Sequence, residues 1–335
     1  MIGKTLLQRG RLLLLAAMGL AVLGVAINSA SAVAQEVNEG SSTLKVAPLR
    51  TDITVDPGDT KTVKITITNP TDRDLRVRPV QNDFVAEGEN GAPAFMLNEG
   101  EAASKYSLKK YLSPLDSIDL PASETVTLDV QLVIPANADA GGYFGAIRFE
   151  PVDVATGGQV NLNTSIASLI LLRVSGDAPE RLALTDFEVQ QRGRTSKWFT
   201  TDDNLSTLVR FENGGAVQLG PIGKISIMKG DDVAFEHNFN QGEQTDVILP
   251  DSARRWSVPL DEVGGFGKYT ATATFSYGSK NETVEIDYSF WIIPRTVIIS
   301  VVVGVLVLLA AVVGVIAYIR ARGERSRSKR PRGRR

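Results

Sequence analysis

The sequence predicts an all-β body, two tandem β-sandwich domains, set between a basic, apolar N-terminal segment and a single apolar C-terminal segment. Three observations carry this. Hydrophobicity alternates with a period of two through the middle of the chain; turn signals recur at short spacing; and Val297 to Ile319 holds no charged residue over 23 positions. Alternation puts every second side chain on one face, which is the pattern of a half-buried antiparallel strand. Many short strands between Gly/Pro/Asn/Asp turns make a sandwich or barrel rather than a parallel sheet.

In chain order, Lys4, Arg9 and Arg11 precede an apolar run from Leu12 to Ile27, and small residues at Ala30-Ser31-Ala32 and Ala32-Val33-Ala34 offer cleavage sites. Residues 1–34 therefore read as a secretory signal peptide, and 35–43 as a short linker. Strands follow: Val63, Ile65 and Ile67 alternate with Lys64, Thr66 and Thr68, and Val126, Leu128, Val130, Leu132 and Ile134 with polar neighbours. Further strands are expected at 53–55, 75–84, 143–150, 167–174, 182–190, 207–212, 222–228, 233–240, 269–277 and 283–292. Turns are expected at Asp56-Pro57-Gly58-Asp59, Asn69-Pro70-Thr71-Asp72, Glu89-Asn90-Gly91, Gly176-Asp177, Lys229-Gly230-Asp231 and Gly278-Ser279.

A body of about 260 residues exceeds one ordinary sandwich of ~100 and suits two. Gly176 and Pro179 interrupt the chain after an apolar strand, so domains are expected over 44–176 and 177–294. An internal echo supports the division. Gly141-Gly142-Tyr143 and Gly267-Lys268-Tyr269 each lead into a strand, which resembles the tyrosine corner of immunoglobulin-like sandwiches, whose phenol bonds back to the chain upstream. Two unrelated turn-to-strand junctions would read the same way.

The stretch 297–319, at ~1.5 Å per residue, is roughly 35 Å of helix and long enough for a ~30 Å hydrocarbon layer. Trp291 flanks it on one side and nine Arg/Lys in 320–335 flank it on the other. Basic residues stay cytoplasmic, so the expected topology is single-pass in the cell membrane, with the N-terminal body extracellular and a basic cytoplasmic tail at 320–335. Charge is segregated accordingly: about +3 in the first 32 residues, +8 in the tail, and a remainder near −13 within a net −2. A basic tail beside a span fixes orientation and meets lipid, so no nucleic-acid partner is expected.

Composition removes most chemistry. The chain has no Cys and one His, so thiolate metal sites, Cys nucleophiles and His clusters are absent, and no metal, cofactor or enzymatic activity is expected. The acid pairs Asp202-Asp203 and Asp231-Asp232 sit in turn-like polar stretches without the spacing of a calcium loop. Alternation places His237 on one strand face with Phe235 and Phe239, which reads as packing. The candidate ligand-binding residues are Lys105, Tyr106, Lys109, Lys110 and Tyr111, aromatics and cations in a long insertion that could meet an anionic polymer. The competing reading of the same insertion is that Leu108, Tyr111 and Leu112, spaced i, i+3, i+4, form a helical turn plugging one end of the sandwich.

The ordered series Val46-Ala47-Pro48, Val55-Asp56-Pro57-Gly58-Asp59, Ile67-Thr68-Asn69-Pro70, Asp83-Phe84, Ser107 to Leu112 and Ile134-Pro135 through Gly141-Gly142-Tyr143 resembles the N-terminal peptidoglycan-binding domain of the WxL-interacting proteins of Gram-positive surfaces. The likeness spans residues 44–175; residues 181–293 resemble that family's second domain only loosely. It implies a bacterial cell-wall adhesion protein whose first domain attaches to peptidoglycan, with WxL-type surface proteins among its partners. A reading from another class is a strand-donating chaperone or scaffold that captures exported proteins at an open sheet edge.

Overall fold

The computed structural model describes residues 44–97, 105–152 and 165–327, with side chains as far as residue 320. The expected signal peptide and linker and the end of the basic tail lie outside the described residues. The rest is β-sheet followed by one long helix, and it divides into two sets of sheets, each around its own apolar core.

The first set holds β1 (Lys45–Ala47), β2 (Arg50–Val55), β3 (Thr60–Thr68), β4 (Leu75–Glu87), β5 (Ala92–Phe95), β6 (Ile118–Leu120), β7 (Thr125–Val133), β8 (Gly141–Val152) and β9 (Ile166–Val174). One sheet runs β1-β3-β7; the other runs β2-β9-β8-β4-β5, with β6 beside the start of β4. The chain changes sheets at Pro48-Leu49: β1 pairs antiparallel with β3, and β2 pairs parallel with β9. Between the sheets lie Ile65, Ile67, Val77, Val130, Leu132, Tyr143, Ile147, Phe149, Ile170 and Leu172, all buried. Of these, Ile65, Ile67, Val130 and Leu132 are inward positions that the alternation of 63–67 and 126–134 specifies.

The second set holds β10 (Leu182–Gln191), β11 (Arg194–Thr195), β12 (Trp198–Phe199), β13 (Leu205–Asn213), β14 (Ile222–Lys229), β15 (Asp232–Phe239), β16 (Ser252–Pro259), β17 (Gly267–Tyr277) and β18 (Glu282–Ile292). Its sheets run β11-β10-β13-β16 and β12-β18-β17-β14-β15. Its core is rich in rings: Phe275 meets Phe239 and Phe211 with centroids 5.0 and 5.2 Å away, and Trp256 closes on Phe239 at 5.3 Å. Edge-to-face contacts of this kind add to area burial.

Both tyrosines bond upstream as the motif predicts: the Tyr143 hydroxyl donates to Asp139 O at 2.8 Å, and that of Tyr269 to Gly264 O and, at 3.3 Å, to Gly265 O. Five expected turns hold a glycine at positive φ, which is why glycine stands there: Gly58, Gly91, Gly176, Gly230 and Gly278. In the turn after β3, the buried Asn69 donates to Arg73 O, Leu120 O and Pro121 O and accepts from the Thr71 amide. Asn213, at the end of β13, repeats the device with Val217 O, Ile248 O and the Gly215 amide.

Helix α1 (Arg295–Arg327) follows β18 after Ile293-Pro294. Its segment Arg295–Arg320 contains an 18-residue stretch of mean hydropathy 3.1 that the rest of the chain does not bury, so it is long and apolar enough to cross a membrane.

Candidate functional site

The insertion is held against β8 by backbone hydrogen bonds. The segment from Lys105 runs beside β8, with Phe144 N donating to Tyr106 O at 2.7 Å and Leu108 N to Phe144 O. It then makes a 3-10 turn at Lys109–Tyr111 that buries Leu108 completely and leaves Tyr111 only 6% exposed. A β-carbon at Gly145 would come within 2.8 Å of Leu108, so glycine in the middle of β8 is what lets the plug seat.

The five candidate residues separate into two groups. Lys110 Nζ lies 4.3 Å from the ring centroid of Tyr143 and 4.9 Å from that of Tyr111, and the two rings meet edge to face at 5.0 Å. Burial, with Tyr111 alongside, pushes the Tyr143 phenol above its ordinary value. Tyr111 is thus a core contact that carries Lys110, and Lys109 beside it is exposed. Lys105 and Tyr106 turn toward the second set of sheets: Lys105 Nζ is 2.7 Å from Asp251 Oδ2, and the Tyr106 hydroxyl donates to the same oxygen at 3.2 Å. The bond from Lys105 holds the Asp251 carboxyl below the usual carboxylate range.

These residues border a seam that the sequence did not reveal. Phe84, Phe144, Ala146 and Leu171, on the outer face of the β4-β8-β9 sheet, form a third buried cluster packed against Phe95, Tyr106, Leu169, Val247 and Leu249. Phe144 meets Phe84 at 6.3 Å and Tyr106 at 6.1 Å. A groove of about 560 Å³ opens along it, between Lys105, Tyr106, Phe144 and the loop Leu249 to Ser252. The β4–β5 hairpin reaches across: Glu89, at its turn, pairs with Arg210 at 2.8 Å and Arg255 at 3.1 Å, and its carbonyl accepts the Arg255 amide at 2.8 Å. On the other side, Arg50 Nη1 donates to Thr245 O, and Arg254 pairs with Asp246 at 2.8 Å. Burial pulls the Arg254 guanidinium below its ordinary value.

The motif residues serve this arrangement. Pro57 and Gly58 shape the β2–β3 turn, and Gly58 N donates to Pro135 O. Asn69 and Pro70 form the turn described above. Gly142 N donates to Ala216 O at 2.8 Å, and a β-carbon there would meet the Phe144 ring and the backbone of Val217. The second glycine of Gly141-Gly142-Tyr143 is therefore set by close approach of the second set of sheets. The second motif has Lys268 at the position of Gly142, and a β-carbon at its Gly267, the counterpart of Gly141, would meet the side chain of Lys229 at the end of β14.

The remaining candidates lie elsewhere. His237 is exposed on β15, stacked on Phe235 at 6.4 Å. Asp202 caps a turn by accepting the Gly265 amide. Among the described residues, no three His, Cys, Asp or Glu side chains are grouped so as to hold a metal. On the outer face of β8, Glu150 is 2% exposed and lies between Arg78 at 2.5 Å and Arg148 at 2.6 Å. Arg148 and Glu150 are buried and Arg78 is half exposed; the sequence offers no signal for the group, which depends on the register that sets Arg78 opposite Glu150.

Solved structures resemble the chain weakly. The class 5 fimbriae chaperone CfaA aligns over 75% of this chain and 99% of its own, at 12% identity and TM-score 0.36. The Escherichia coli chaperone DraB aligns over 74% and 96%, at 13% and 0.30. A PapD-like domain of human CEP192 aligns over 44% and 96%, at 14% and 0.29. No curated protein matches the chain. Residues 51–151, within the first set of sheets, match the family described as WxL Interacting Protein, peptidoglycan binding domain.

Proposed function

We propose that this chain is a membrane-anchored protein of a bacterial cell envelope that binds and does not catalyse, holding its first sandwich to peptidoglycan outside the membrane. The observation that carries the reading is the match of residues 51–151 to a peptidoglycan-binding domain. The apolar helix at Arg295–Arg320 supports the anchor, and the basic residues after it support a cytoplasmic tail. Lys105, Tyr106, Lys109 and Lys110 are the residues proposed to meet the glycan, with Tyr111 holding Lys110 in place. WxL-type proteins would be surface partners of the second sandwich, which is proposed to be immunoglobulin-like as the first is.

The test is sedimentation of the full-length chain, in detergent micelles, with purified peptidoglycan. The seam argues against cutting the chain at 176, because that would expose Phe144 and Leu171. Retention is expected, reduced when Lys105, Lys109 and Lys110 are replaced by Ala. No retention above an unrelated sandwich protein overturns the glycan reading, and release of soluble wall fragments overturns the absence of catalysis.

One observation favours the second reading, capture of an exported strand. Among the described residues, β15 pairs on one side only, with β14, and presents Asp232, Val233, Glu236, His237 and Asn238 exposed along eight residues. Such an edge can accept a further strand. Cross-linking of an extended peptide to β15 would favour this reading over glycan binding.

A further inference from the structure

The end of the second set of sheets next to α1 carries exposed rings. Trp198 on β12 is 60% exposed, and among the described residues its ring contact is a face-to-face stack on Trp291 of β18, at 5.7 Å and 9°. Phe266, 53% exposed, precedes Gly267, which is paired with Ile292 at the same end of the sheet. The strand and the helix are joined tightly. Trp291 N donates to Lys197 O, Ile293 N to Phe199 O at 2.8 Å, and Arg295 N to Thr200 O at 3.2 Å, so the ladder continues up to the first helical residue. From Ile292 to Arg295 the chain can span at most about 10 Å.

We propose that this aromatic end seats in the headgroup layer of the bilayer that α1 crosses, with Trp198, Trp291 and Phe266 as its contacts, so that the body is held at a fixed height and tilt rather than swinging on a tether. This rests on the reading of α1 as a membrane anchor. The apolar segment Arg295–Arg320 has 26 residues. At ~1.5 Å each it is about 39 Å long, more than the ~30 Å of hydrocarbon, which places Arg295 among headgroups. Trp291 lies four residues before Arg295, at most about 14 Å along the chain. Trp198 is paired with it, and Phe266 adjoins the partner of Ile292. This puts these rings in reach of the interface, where Trp is enriched because its flat apolar ring carries a polar N–H. Charge is not what draws this end down. Lys197, Lys268 and Arg295 are offset by Asp202, Asp203, Asp261 and Glu262 on the neighbouring loops, so the contact should be insensitive to salt.

The chain has three tryptophans, and Trp256 is the internal reference because it packs among Phe211 and Phe239. The full-length W256F/W291F protein, with Trp198 alone, is placed in nanodiscs of phosphatidylcholine or of phosphatidylcholine brominated near the headgroup end of its acyl chains. Loss of Trp198 emission in brominated lipid, unchanged by salt and absent for the W198F/W291F protein that retains only Trp256, is the expected result. A chain retained in the disc with unquenched Trp198 overturns the seat and leaves the anchor standing. A chain that does not stay with the disc overturns both. Shielding of Trp198 from a water-soluble quencher only when two chains share a disc assigns the rings to a second copy and overturns the lipid contact.

Discussion

β8 and β17 follow the same tyrosine corner at the same place in their sandwiches, yet one is buried on both faces and the other on one. Along β17 burial alternates, with Tyr269, Ala271, Ala273, Phe275 and Tyr277 inward. Along β8 ten successive residues, Gly141 to Glu150, are buried. Tyr143, Ile147 and Phe149 face the core, as alternation requires; Phe144 and Ala146 face the seam, and Arg148 and Glu150 form a polar patch with Arg78 and Asn82. The difference teaches that the first sandwich is not finished by its own core. Its outer sheet face is completed by the second, while β17 of the second keeps one face partly exposed.

The sharpest way to break this asymmetry is at the buried charges. Replacing Glu150 by Gln takes away the carboxylate that neutralises Arg148, whose side chain is 11% exposed and whose Nε donates to the uncharged Asn82. Loss of one partner of a buried pair costs about 3–5 kcal/mol. The matching cross-strand pair of the second sandwich, Lys224 and Glu236, lies at 2.6 Å but is about half exposed on both sides. Glu236→Gln should cost no more than ~1 kcal/mol. Urea denaturation of the two variants reads both values; near-equal losses would remove the claimed difference between the two sheets.

A smaller effect sharpens what the sandwiches share. Asn69 and Asn213 are buried at 0% and 2% exposure, and each donates to carbonyls from different segments. Replacement by Ala strands those carbonyls, at about 1–3 kcal/mol each. Similar losses at the two sites would show a common device. A loss at Asn69 only would show that the second core, with its ring cluster, closes without it.

What was legible in the sequence follows from which faces water covers. Strands with one wet face, such as β3, β7 and β17, announce themselves by alternation, and the turns by glycines at positive φ. β16 was not anticipated, because its inward positions read Arg254, Trp256, Val258, and an arginine breaks an apolar pattern. The structure resolves this: Arg254 stands at the seam, paired with Asp246 and donating to Val247 O. The seam itself was invisible for the same reason. Phe144 and Leu171 occupy positions that alternation assigns to solvent, and the insertion at Tyr106 together with Val247 and Leu249 of the second sandwich, distant in sequence, removes them from it. Of the insertion, the plug of Leu108 and Tyr111 was readable from i, i+3 spacing, whereas the reach of Lys105 and Tyr106 to Asp251 needed the fold.

The smallest predicted effect concerns the clamp that ties the β4–β5 hairpin to the second sandwich. The bond from Arg210, with Arg255 close by, holds the Glu89 carboxyl below the usual carboxylate range. A carboxylate whose folded value is depressed stabilises above its ordinary value, and that contribution is lost as pH falls through the lowered one. Acid should therefore loosen the hairpin, by no more than ~1 kcal/mol, since Glu89 is about one-third exposed and Arg210 keeps Glu212 at 2.6 Å. Glu89→Gln at neutral pH imitates the acid form. Faster hydrogen exchange of the Arg255 amide, which donates to Glu89 O, is expected in that variant, with amides of β17 unchanged. Unchanged exchange at Arg255 would mean that the apolar seam alone holds the sandwiches together, and the ion pairs at its rim then contribute nothing to the closure of the outer sheet face.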